Sequence, residues 1–132
     1  MSDAHGAPAP LKATAEKLAL FCREGREEEG LETLYHEDAV SMEPTIMPGG
    51  DTREWRGVDA IREKHAWWAA NMEVHDAKVQ GPMFHGDDRF GLIFETDVTD
   101  KNSGQRMQFA EFGVYTIDGD GKIVREEFFF SY

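Results

Sequence analysis

The feature that most constrains this chain is a change of period near His75. Beyond it, Phe90, Leu92, Phe94, Thr96 and Val98 alternate with Gly91, Ile93, Glu95 and Asp97. That is the two-residue repeat of a strand with one markedly apolar face. Strands are expected over 74–80, 89–99, 105–117 and 122–131. The turn sequences His85-Gly86-Asp87-Asp88 and Asp118-Gly119-Asp120-Gly121 separate two of the junctions, as short connections between antiparallel strands do. A meander of this kind must cover its apolar face with something, and the cover has to come from earlier in the chain.

The earlier part reads as helices. Leu11, Ala15, Leu18 and Cys22 have helical spacing, and Gly25 ends the pattern. A second helix is expected over 26–35, with Glu27, Glu28 and Glu29 in the first turn, where the helix dipole favours negative charge, and Leu31, Leu34 and Tyr35 on its buried side. Ala39 to Glu43 reads as a short strand stopped by Pro44, and 44–56 as a loop. A third helix follows Gly57 and runs to Met72, with Val58, Ile61, His65, Trp68 and Met72 on one face. Helices followed by antiparallel strands make an α+β domain. The 132 residues suffice for one core. We expect a flexible arm over 1–10 and a single domain over 11–132.

Charge narrows the partners. Lys and Arg number 14 against 26 Asp and Glu, a net charge of −12. Such a surface repels phosphate backbones and anionic lipid, so neither nucleic acid nor membrane is an expected partner. No stretch reaches the roughly 20 apolar residues of a membrane helix, and the start MSDAHGAPAP lacks the regions of a signal peptide. A cytoplasmic location is expected. The single cysteine, Cys22, excludes an internal disulfide and reads as a core thiol on the first helix. His75-Asp76, and His85 with Asp87 and Asp88, lack metal-ligand spacing. Asp118-Gly119-Asp120-Gly121 begins like a calcium loop, but its twelfth position is Phe129. With no phosphate-cradling glycine loop either, no metal and no cofactor is expected.

The segments LYHEDAVSMEP (34–44), WRGVDAIREKH (55–65), QGP (80–82) and GDGKIVREEFFFSY (119–132), in that order, resemble the SnoaL-like branch of the nuclear-transport-factor-2-like superfamily. The resemblance covers Leu11 to Tyr132. It implies a cone-shaped, cystatin-like barrel: three helices on a highly curved, mostly antiparallel sheet around an apolar cavity. Its members include ketosteroid isomerases and polyketide cyclases, alongside non-catalytic binding and dimerisation modules.

The resemblance also directs attention to particular residues. The isomerases place an aspartate base directly before the strand-ending proline, where this chain has Glu43-Pro44. Glu43 is therefore a candidate base, unless it is merely solvated at the strand's mouth. The isomerase oxyanion donors would fall near Leu18 and Gly113, and neither residue offers a side-chain donor. His65 interrupts the apolar stripe of the third helix, as a pocket acid or base or as a satisfied core histidine. Met107, Phe109, Glu111, Gly113 and Tyr115 share the face that the resemblance makes inward. Glu111 there must be paired, neutral or useful; Arg106 and Arg125 are its candidate partners. Tyr35 reaches the cavity or rests in the core with its hydroxyl bonded. Trp68, Phe94, Met107, Phe109, Phe128 and Phe130 complete an aromatic lining. The expected function is binding of a small, largely apolar molecule, with cofactor-free proton transfer by Glu43, His65 and Glu111. The alternative is a non-catalytic module. Phe112, Val114 and Phe129 would face outward with Ala110, an apolar patch suited to a homodimer.

Overall fold

Pro10 sits in the first turn of α1 (Ala9–Arg23), where a missing N–H removes no helical hydrogen bond. The helix buries Leu11, Thr14, Ala15, Leu18 and Ala19. Gly25, at φ 69°, turns the chain out of it. α2 (Glu27–Leu34) carries its three glutamates in the first turn and buries Gly30, Leu31 and Leu34. It runs directly into β1 (Tyr35–Met42). The computed structural model describes residues 6–130. Ala9 and Pro10 of the expected arm belong to α1, whereas residues 1–5, together with Ser131 and Tyr132, lie outside the described residues.

The expected loop over 44–56 contains β2 (Glu54–Arg56), which is too short to show a period in sequence. It pairs antiparallel with β1, and the Glu43 N–H extends the ladder by donating to the Arg53 carbonyl at 2.8 Å. α3 (Val58–Asn71) starts after Gly57. The meander follows as β3 (Met72–His85), β4 (Arg89–Asp100), β5 (Arg106–Ile117) and β6 (Ile123–Phe130).

The six strands form one sheet in the order β2-β1-β6-β5-β4-β3. Only β1 beside β6 is parallel. The architecture is the expected α+β one, with the sheet open between edge strands β2 and β3 rather than closed into a barrel. β3 is irregular between Val74 and Asp76 and between Gln80 and Met83, where a locally broken ladder bends a strand.

One irregularity decides what faces inward on β6. Ile117 pairs with Ile123, but Thr116 pairs with Arg125, so β6 carries one extra residue. Strand alternation is reversed beyond it. Glu126, Phe128 and Phe130 thereby lie opposite Tyr115, Gly113 and Glu111 on the helix-covered face. Ile123 is also buried there.

The apolar core is in two parts. Under α1, Leu11 and Leu18 pack with Phe90, Leu92, Tyr115 and Ile123. Under α2 and α3, Leu31, Ala39 and Ile61 pack with Tyr35, Trp55 and Val58. Burial of each large side chain contributes about 1.5–3 kcal/mol. Tyr35 packs against both parts.

Candidate functional site

The buried residues of α3 are Ile61 and Lys64. Lys64 is only 6% exposed, so its ammonium must find oxygen partners inside the protein. It finds three. Nζ lies 2.6 Å from Ser41 Oγ, 2.8 Å from Glu43 Oε1 and 3.3 Å from Glu126 Oε2. The ammonium also stands 4.8 Å from the centre of the Phe128 ring, within cation–π range.

Glu126 is 2% exposed and Ser41 fully buried. The parallel register sets the two side by side, and Ser41 Oγ donates to Glu126 Oε2 at 2.6 Å. The Tyr35 hydroxyl donates to Glu126 Oε1. Burial opposes ionisation of Glu126, but Lys64 and the Ser41 and Tyr35 donors outweigh it and hold the carboxyl below its usual range. Burial likewise opposes the charge on Lys64, and the carboxylates of Glu126 and Glu43 hold the ammonium above its usual range. The result is an internally compensated buried charge cluster.

Glu43 follows β1 with its side chain 16% exposed, so it is drawn into the cluster rather than left in solvent. Glu111 differs. Its cross-strand neighbours are Phe94 and Phe130. Arg106 pairs with Asp97 and Arg125 with Glu127, so neither neutralises it. Among the described residues Glu111 makes no ion pair. Desolvation, then the negative charge of Glu43, pushes its pKa up to about 7, with Lys64 pulling the other way.

Aromatic rings share this face of the sheet. Phe109 meets Trp68 at 6.3 Å and Phe130 at 6.2 Å, both edge to face. Phe94 and Phe128 lie 6.4 Å apart. Met107, half-buried, shares the face one strand repeat from Phe109. A side chain at Gly113 would crowd its neighbours: a Cβ there would stand 3.0 Å from both the Phe128 and Tyr115 rings. The two positions where an isomerase would carry donors thus hold core packing, Leu18 being 3% exposed.

The structure brings Glu43 and Glu111 together with Phe94, Phe109, Phe128 and Phe130. His65 is a correction. Its Nδ1 lies 2.8 Å from Glu28 Oε1, an exposed pair between α3 and α2. Ile61, Lys64 and Trp68 take the inward side, and residue 65 is turned about 100° from residue 64 around a helix. Tyr35 is engaged by Glu126 in the polar cluster. Lys64, Ser41 and Glu126 are additions. The spacing Ile61-Lys64-Trp68 is as helical as Ile61-His65-Trp68, and Glu126 shares the alternation of Phe128 and Phe130.

Two clefts open near the cluster. One, of about 230 Å³, lies between Pro44, Arg53 and Phe128–Phe130. The other, of about 540 Å³, is a polar surface groove over Leu31, Tyr35, Val58 and Arg62. The first borders the aromatic lining; the second lies behind Tyr35. Among the described residues no group of His, Cys, Asp or Glu side chains is arranged to hold a metal ion, and no helix is long and apolar enough to cross a membrane.

The family model for the SnoaL-like domain matches residues 12–130. The chain belongs to that family. A SnoaL-like protein from Mesorhizobium loti, for which polyketide cyclase activity has been suggested, is 34% identical. The match covers 89% of this chain and 97% of that one, with a TM-score of 0.81. A steroid delta-isomerase from Pseudomonas aeruginosa is 20% identical, over 96% of this chain and 83% of that one, with a TM-score of 0.72. A cystatin-like protein of unknown function from Xanthomonas campestris is 17% identical, over 92% and 91%, with a TM-score of 0.72. At these lower identities the likeness is one of fold. No protein with a curated description matches in sequence. Within the SnoaL-like frame, the Lys64-centred cluster is where this chain puts its buried charge.

Proposed function

We propose that this SnoaL-like domain binds a small, largely apolar molecule against the rings of Trp68, Phe94, Phe109, Phe128 and Phe130, and transfers a proton on it without a cofactor. Isomerisation, cyclisation and dehydration all need this one elementary step. The observation that carries the reading is Glu111: a half-buried carboxyl that makes no ion pair among the described residues, set between Phe94 and Phe130 across the ladders, with its pKa raised to about 7 chiefly by burial. Such a group can accept or release a proton at neutral pH. Glu43, 2.8 Å from Lys64, is the second carboxylate at the site. The expected base by position in the strand is thus already ion-paired, which favours Glu111 as the exchanging group.

The test is turnover of a panel of enolisable ketones and hydroxyketones by the native protein, Glu111→Gln and Glu43→Gln, with binding measured in parallel. Loss of about 100- to 10,000-fold in rate is typical of removing a general acid or base. That loss in Glu111→Gln, with binding kept, supports the reading; unchanged turnover in it removes Glu111 from the chemistry. One observation favours a non-catalytic module: Lys64, Ser41, Glu126 and Tyr35 satisfy one another. Binding without turnover in the native protein across the panel would select that reading.

A further inference from the structure

A buried lysine at this place has no role in the reading above, yet it is held by three oxygen partners. It joins three elements: α3, which carries it, the end of β1 through Ser41 and Glu43, and β6 through Glu126. All three protons of an ammonium are matched by three oxygen acceptors at 2.6 to 3.3 Å. No proton is left over for a ligand, so Lys64 is not placed to donate to one.

We propose that Lys64 is a positioning residue of the site. Its ammonium, fixed from three sides, ties Glu43 to the helix-covered face and places a positive charge 4.8 Å from the Phe128 ring, one strand repeat from the Phe130 that faces Glu111, where it acts on the proton that Glu111 exchanges. This rests on the reading of Glu111 as the exchanging group.

The charges acting on Glu111 come from three elements. Glu43 after β1 and Glu126 on β6 raise its affinity for a proton, and Lys64 on α3 lowers it. Buried Tyr115, on β5 itself, adds a hydroxyl whose own ionisation is suppressed by burial. Lys64 is thus the one cation among these groups. A lysine on the solvent side of α3 would be screened; this one acts through protein interior, where charges interact more strongly.

The experiment reads Glu111 without any ligand, so it is independent of whether a substrate is ever found. Carboxyl-carbon NMR of ligand-free protein follows the titration of Glu111, assigned by its disappearance in Glu111→Gln. In Lys64→Met the midpoint should move up by roughly one pH unit or more, the scale on which a nearby opposite charge acts. Lys64→Gln keeps hydrogen-bond donors for Glu43 and Glu126 while removing the charge. It serves if Lys64→Met does not fold, and should move the midpoint in the same direction. Glu126→Gln removes a negative charge and should move it down. A merely structural lysine would change stability while leaving the Glu111 midpoint in place. An unmoved midpoint in a folded Lys64→Gln would overturn the proposal. A moved midpoint with no turnover difference would keep Lys64 as the positioning residue and count only against Glu111 as a catalytic group.

Discussion

Lys64 sets its ammonium 2.8 Å from the carboxylate of Glu43, fastening the buried face of α3 to the residue that follows β1. The same ammonium reaches Glu126, whose burial is nearly complete. A charge this deep is tolerated only while its partners remain, because removing one leaves the other uncompensated. Glu126→Ala should therefore destabilise the fold by about 3–5 kcal/mol, and Glu126→Gln by less, since the amide oxygen can still accept from one of the two hydroxyls, Ser41 or Tyr35. Urea unfolding of both variants checks this. A loss below about 1 kcal/mol in Glu126→Ala, the scale of an exposed pair, would show that the cluster is solvated in solution.

Glu111 should make stability fall as pH rises. Its folded pKa of about 7 lies above the ordinary 4.5, so between those values the folded state holds a proton that the unfolded state has released. Stability then declines from the lower value to the upper and levels off above it. The decline from this group is on the order of 3 kcal/mol. Glu111→Gln should flatten the decline and be more stable than the native protein above neutral pH. Denaturation at half-unit steps from pH 4 to pH 8 reads the difference between the two. Parallel curves would mean that Glu111 is solvated. Glu126 contributes with the opposite sign: its lowered pKa stabilises the fold above the ordinary carboxyl range, and that contribution is lost as pH falls through the lowered value.

The sequence made the helices, the meander and the inward face of β5 legible, because each is written in a local period. The charge cluster was not, for two physical reasons. A lysine on a helix is read as solvated unless its acceptors are known, and those of Lys64 come from β1 and β6, far away in the chain. Glu126 shares the alternation of Phe128 and Phe130, but nothing local marks it as a buried charge, because its partners Tyr35, Ser41 and Lys64 come from β1 and α3. His65 stood out because a histidine among apolar residues is conspicuous, although its neighbour in sequence takes the buried place. β2 escaped because three residues carry no period.

Cys22 should be nearly inert to alkylation in the folded protein. Burial, then the charges of Glu27 and Glu126, pushes its thiol up to about 12, and the thiolate is the reactive form. At pH 8 the folded protein should react on the order of a thousandfold more slowly than the same protein in denaturant, by the difference in thiolate fraction. Thiol titration with a chromogenic disulfide, with and without urea, measures the ratio. Cys22 is half-buried, and equal rates would mean that its thiol is already accessible in the folded protein.

The outward face of the sheet leads to a prediction about assembly. Phe112 stands between Ile93 and Phe129 across the ladders of β4 and β6. Its ring covers Gly91, where a Cβ would come within 2.6 Å of it. Val114 is half-buried, and Phe129 is 45% exposed. A contiguous apolar strip on a charged surface suits a self-complementary contact, and we propose that two copies associate through it. Multi-angle light scattering should then return twice the mass of one chain at micromolar concentration. Phe129→Lys should halve that mass with circular dichroism unchanged, because an exposed side chain can be replaced without a core cavity and two facing lysines repel. Phe112→Lys is the wrong variant for this purpose, since it would also uncover Gly91. A native protein that runs as a single chain, or a Phe129→Lys protein that stays double, would remove this face as the contact.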